Sequence, residues 1–349
     1  VRGMTIEEIS TYLNEYDGKP LRFMEICGSH TAAIAKYGIR DILSPKIELI
    51  SGPGCPVCVT PSAYIDKLIA LAKTPDTCVA SFGDLLRVPG SAQSLSETKG
   101  EGANVAMVYS PMDVIALAKE HPQTNYVFAA VGFETTAPVY TLLIEEAQKN
   151  GLRNIRILTA LKTMPKAVDW LITSGAKLDG FLAPGHVCAI TGSAYFKGLA
   201  EKYKIPFAVS GFADTELLVA IYGLVRMAVN HEAGVRNYYP SVVETEGNAV
   251  ALQKLAKYFT PCEATWRGMG AIADSGLRLR DEYLEFDAGS MGLDEDHKKN
   301  KGCCCGEILK GNMRPVDCPL FGKVCYPQNP QGACMVSYEG SCFQAYENR

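Results

Sequence analysis

The sequence has no apolar run long enough to cross a bilayer. Its longest, 217-LLVAIYGLV-225 and 126-YVFAAVGF-133, stop far short of the roughly 20 residues that a spanning helix needs. It also lacks a basic excess. With 34 Lys and Arg against 38 Asp and Glu, the net charge is −4 and no basic stripe runs along the chain, which argues against a nucleic-acid partner. The opening VRGMTIEEISTYLNEYDGK is polar and acidic and does not read as a signal peptide. Without an export signal, a disulfide scaffold is a poor account of the cysteines, and a cytoplasmic setting is the expectation.

Cysteine itself is plentiful: 13 among 349 residues, an odd number. In a reducing compartment, dense cysteine points to metal binding or thiol chemistry. The remaining composition, 47% apolar and 21% charged with 32 Gly and 19 Pro, is that of a globular chain with room for two or three domains.

From about residue 20 to 230 the pattern alternates. Eight β-rich runs read as strands, at 22–27, 46–51, 77–82, 103–109, 126–133, 154–161, 179–184 and 206–212. Helical patterns lie between them, such as 61-PSAYIDKLIALAK-73 and 137-APVYTLLIEEAQKN-150. Strands apolar on both faces, alternating with helices, predict parallel sheets covered on both sides. The expected fold is α/β: two doubly wound parallel-sheet lobes around a cleft, followed by a loop-rich C-terminal region. The expected units are 1–120, 121–230 and 231–349. A helix is expected near 245–258, and the polar Gly/Ser stretch 86–102 reads as a mobile flap.

In open parallel sheets ligands bind at the carboxyl ends of the strands, so the residues after each strand are the place to look. The first strand ends in Cys27-Gly28-Ser29-His30 and the second in 52-GPGCPVC-58. Later strands end in Gly83-Asp84, in Gly132-Phe133-Glu134-Thr135-Thr136, in Pro184-Gly185-His186 and in Ser210-Gly211. Cys27 falls where a strand turns into a helix, a place that favours a thiolate. His30, three residues on, shares its face. Cys55 and Cys58 have the spacing of a redox dithiol, which is also the spacing of half a zinc site. Glu134 with its threonines is equally an ordinary helix start, and a lone His186 is more often structural than a ligand. Cys78, Cys188 and Cys262 read as structural.

The tail, residues 302–346, holds seven cysteines: Cys303, Cys304, Cys305, Cys318, Cys325, Cys334 and Cys342. It lacks paired C-x-x-C zinc motifs. Its long, uneven spacings suit an iron–sulfur cluster held by four thiolates from irregular loops, with thiols to spare beside it.

Five motifs in order, 24-MEICGSHT-31, 51-SGPGCPVC-58, 132-GFETTAP-138, 182-LAPGHV-187 and 318-CPLFGKVCYPQNPQGACMVSYEGSC-342, resemble the hydrogenase maturation factor HypD family from about residue 20 to the end. The resemblance implies an assembly scaffold. With a small HypC-type chaperone it would hold the iron on which the Fe(CN)2CO group of [NiFe] hydrogenases is built, with a HypE-type protein supplying cyanide. It also implies a third region carrying a [4Fe–4S] cluster that passes electrons to cleft thiols. Carried over by motif, Cys27 is the cleft thiol that would hold iron or engage the chaperone, with His30 beside it, and Cys55 and Cys58 would be the redox pair. Gly28, Ser29, Thr31, Glu134, Thr135, Thr136 and His186 line the cleft. The family's CxC matches Cys303 and Cys305, with Cys304 an additional cysteine between them. The ligands chosen on this pattern are Cys303, Cys318, Cys325 and Cys342, with Cys305 and Cys334 as a neighbouring thiol relay.

Two other readings stay open. One is a thiol–disulfide oxidoreductase acting on a protein partner through the cluster, which does not require Cys27 or His30. The other is a zinc-stapled protein with an α/β binding cleft, which metal and sulfide analysis would separate.

Overall fold

Each of the eight apolar runs forms a strand. In the computed structural model, which describes residues 3–297 and 299–349, they are β1 (Leu21–Glu25), β2 (Ile47–Ser51), β3 (Thr77–Ser81), β4 (Val105–Met107), β5 (Asn125–Gly132), β6 (Ile155–Lys162), β7 (Gly180–Pro184) and β8 (Pro206–Ser210). Three further strands follow: β9 (Gly234–Asn237), β10 (Phe259–Trp266) and β11 (Gly270–Leu279). One sheet runs β2-β1-β7-β8-β9, all parallel. The other runs β10-β11-β6-β5-β3-β4, parallel from β6 to β4 and closed by an antiparallel hairpin.

Successive side chains of a strand point to opposite faces, so an apolar run buries both. Phe23 packs with the helices Ile6–Asn14 and Asp214–Val229, and its neighbour Met24 with the helix Met164–Thr173 on the other face. In the second sheet Val127 and Ala129 face the helix Ser62–Ala72. Tyr126 and Phe128 face the helices Asp113–Glu120 and Ala137–Lys149. Both sheets are therefore doubly wound.

The sheets do not divide at residue 120. The chain lays down β1 and β2, leaves to build β3–β6, and returns with β7–β9 to pair against β1. A strand buried on both faces needs a partner on each edge, and β1 finds its second partner 157 residues later, where Phe23 pairs with Gly180. The tail is not a separate unit either. Cys303, Cys305, Cys325, Cys334 and Cys342 share one core with Met24, Cys58 and Trp266.

The stretch 86–102 is anchored rather than a flap. Val88 and Leu95 are buried, the Asp66 carboxylate accepts from Ser91, and Ser94 with Glu97 forms a reciprocal capping box on the helix Leu95–Gly100. Among the described residues no helix is long and apolar enough to cross a membrane.

Candidate functional site

The order of each sheet creates a crevice. In the first sheet the chain turns one way after β1 and the other way at β7. In the second it turns similarly between β3 and β5. Ligands bind at such switch points, outside the carboxyl ends of the strands. Cys27 stands at the β1 switch point, as the N-cap of the helix Gly28–Lys36. The loop after β2 lies directly against it: Gly28 N–H donates to Gly54 O at 2.9 Å, and a Cβ on Gly54 would collide with the Cys27 backbone. That close approach is what glycine at 54 permits. It brings the CPVC loop beside Cys27, and Cys55 and Cys58 form a disulfide with Cα atoms 5.2 Å apart.

Cys27 is not a ready thiolate. Burial, followed by the nearby Glu339 carboxylate, pushes its thiol up to about 12, against the smaller help of N–H groups at the helix start. Glu339 comes from the tail. Its Oε1 accepts from Ser29 Oγ at 2.6 Å and its side chain lies over Gly28. The tail thus covers the β1 loop.

His30 is fully buried. Its Nε2 lies 3.2 Å from Ser210 O and 3.1 Å from Gly211 O, the carbonyls that end β8. Two carbonyl acceptors require Nε2 to carry the proton, which leaves the Nδ1 lone pair buried and without a partner. Burial holds the ring down at about 4, so it is neutral at pH 7. The ring therefore does not pair with Cys27. It packs on Phe212 (centroids 4.8 Å), whose ring stacks on the exposed His186 (3.9 Å).

At the end of β5 Glu134 is also buried. Its Oε1 accepts from Met164 N and Tyr195 Oη, each at 2.9 Å, while Oε2 has no partner. Burial raises its carboxyl to about 7. Cys188, on the short helix after β7, lies within electrostatic reach of both Glu134 and Cys27, so these three share one interior. Thr135 and Thr136 are half-buried beside Glu134. Thr31 departs from the expectation: its hydroxyl turns back to Cys27 O, and it borders a separate outer groove of about 630 Å³ between β2 and the tail.

The tail cysteines converge. Cys303, Cys305, Cys318, Cys325 and Cys342 line one small cavity of about 10 Å³ with Ile308, Leu320, Phe321 and Met335. Cys303 Sγ and Cys305 Sγ are 3.3 Å apart, and a Cβ on Gly332 would sit 2.6 Å and 2.7 Å from Cys305 and Cys303. Cys304 turns instead toward Gly302 O, at 3.5 Å. Fully buried Cys334 is held below the usual thiol range by hydrogen bonds from Cys305 and Cys342, with the Arg267 charge adding to them. Cys58 Sγ lies 3.9 Å from Ala333 O, so the disulfide abuts the segment that carries Cys334. Among the described residues, no three His, Cys, Asp or Glu side chains are already gathered as a metal-ion site. The thiols face a common space without yet closing on one point.

A family model named HypD, described as the hydrogenase formation hypA family, matches residues 3–349. The chain belongs to the HypD family. Its HypD relatives are similar over nearly their whole length. A HypD hydrogenase maturation factor of Rhodobacter capsulatus is 41% identical over 332 residues, 93% of this chain and 88% of the relative. One of Escherichia coli K12 is 38% identical over 348 residues, covering 99% and 93%. A putative hydrogenase expression/formation protein of Methanocaldococcus jannaschii is 40% identical over 346 residues, covering 99% and 96%. The HypD motifs of this chain are the segments that meet at the two crevices and in the tail. Sequence reasoning missed Cys188, Tyr195 and Glu339. Of these only Glu339, in YEGSC between two tail cysteines, stands near a motif.

Proposed function

We propose that the protein is the scaffold on which the Fe(CN)2CO group of [NiFe] hydrogenases is assembled, in the cytoplasm. Iron is the cargo, Cys27 its thiolate ligand, and His30 Nδ1 a neighbouring lone pair. A HypC-type chaperone closes the site and a HypE-type protein delivers cyanide. The observation that carries this reading is the meeting at one switch point of Cys27, the Cys55–Cys58 disulfide and a tail loop bearing further thiols. Low-spin iron with cyanide and CO takes soft donors, and thiolates supply them.

The tail donors fit a [4Fe–4S] cluster in kind: an apolar cavity lined by thiols, with Cys303, Cys318, Cys325 and Cys342 as its ligands. A bound cluster would supply one-electron transfer. Cys305, which lines that cavity, and Cys334, whose neighbour Ala333 meets Cys58, would form the thiol relay. Reduction of Cys55–Cys58 breaks one S–S bond and takes up two electrons and one proton, leaving a thiol and a thiolate beside Cys27.

The intact disulfide also favours a second reading, an oxidoreductase that reduces a protein partner. Cys27 separates the two. Cys27→Ala is expected to fold, to keep its tail metal and to retain a reducible disulfide. It should lose the CN and CO infrared bands of a complex co-purified with the chaperone, and a host carrying only this variant should make no active [NiFe] hydrogenase. Normal bands and activity in the variant would leave the oxidoreductase reading standing.

A further inference from the structure

Arg267 is a buried arginine in the turn that joins β10 to β11. Its backbone N–H donates to Val59 O at 2.8 Å, its Nε to Thr60 O at 2.6 Å and its Nη2 to Pro89 O at 3.2 Å. Val59 and Thr60 are the two residues after Cys58. The nearest carboxylate, Asp296, stands 3.8 Å from Nε and also accepts from Gly268 N. Burying a guanidinium costs several kcal/mol, and carbonyls could be satisfied by neutral donors. This cation, held by carbonyls of the loop that follows Cys58 and paired loosely with Asp296, stands beside the segment that carries the reducible sulfurs.

We propose that Arg267 is a positioning residue of the Cys55–Cys58 couple: it fixes the loop that follows Cys58, and its charge favours the reduced form of the pair. This rests on reading the pair as a redox couple. When a small dithiol reduces the disulfide, the S–S bond breaks and the dithiol closes its own disulfide. Two electrons pass to the pair. Of the dithiol's two protons one goes to the pair and one to solvent, leaving a thiol and a thiolate. The thiolate is the charge that Arg267 stabilises.

The test is a redox titration of the full chain in dithiothreitol buffers, read by alkylation and mass mapping of Cys55 and Cys58. R267Q should shift the equilibrium about tenfold toward the disulfide, a potential about 30 mV lower. R267K, which keeps the charge, should stay within about threefold of the parent. D296N removes the opposing carboxylate and should shift the pair the other way, toward dithiol. A purely structural anchor would lower stability in all three without this reversal of sign. If R267Q does not fold, D296N and R267K decide. A parent chain that titrates normally while the variants keep its potential overturns the role of Arg267. A parent pair that dithiothreitol cannot reduce overturns the redox reading itself.

Discussion

His30 and Glu134 are both fully enclosed, and their proton equilibria oppose each other. His30 falls from 6.5 to about 4 on folding, so the unfolded chain takes the proton first and stability is lost as pH drops from about 6.5 to 4. Glu134 rises from 4.5 to about 7, so the folded chain takes the proton first and stability is gained as pH drops from about 7 to 4.5. At 1.36 kcal/mol per unit, each effect amounts to about 3 kcal/mol, and between pH 4.5 and 6.5 they nearly cancel. Glu134→Gln removes one side of the balance. Its urea-unfolding free energy should then rise by about 3 kcal/mol from pH 4.5 to 6.5 beyond any rise in the parent. Parallel pH curves for the two proteins would mean that Glu134 is not held protonated by burial.

The elements show why parts of the fold were legible. Runs such as 126–133 become strands because both faces are buried, so the apolar signal is unbroken. β10 and β11 escape the same reading because a third of their residues face solvent and others are only half-buried, and a bulge between Cys262 and Ala264 breaks the alternation. Cys27 could be placed at a helix start because a strand run simply stops there. Its high proton affinity could not, since it follows first from burial in the folded interior and then from the Glu339 carboxylate, far along the chain. The roles of Cys188 and Tyr195 depend on β7 returning beside β1, which no local pattern encodes.

The tail elements make a sharper test. Gly332 is pressed against the Cys303 and Cys305 sulfurs, so Gly332→Ala should crowd the thiols and lower tail metal content, as should Cys318→Ala. The expected parent content is about four iron and four sulfide per chain, as for a four-thiolate cluster. Both variants should lose visible absorbance in anaerobic preparations. Undiminished colour in Cys318→Ala would remove that residue from the ligand set.

Across the whole molecule, the interleaving of the sheets governs folding. The first sheet must wait for β7–β9 before β1 is covered on its second edge. Such long-range pairing closes large loops and slows folding. A fragment of residues 1–120 should therefore not fold alone, and hydrogen exchange should find its amides unprotected. Protection of β1 and β2 in that fragment would show that the first lobe is autonomous after all.

One of only two tryptophans, Trp266, lies at the meeting point of these parts. It is stacked on Phe133 next to Glu134, donates to Ser275 Oγ at 2.8 Å, has the Lys162 ammonium 5.8 Å above its ring, and precedes Arg267 in the chain. Burial brings that lysine down to about 8, so the cation over the indole is itself removable near neutral pH. The molecule thus contains its own optical gauge. Indole emission senses nearby charge and chromophores, and this indole sits within the core that holds both the disulfide and the tail thiols. In a chain whose other tryptophan, Trp170, is replaced by Phe, changes in either can be followed by light from one native side chain, with no label attached.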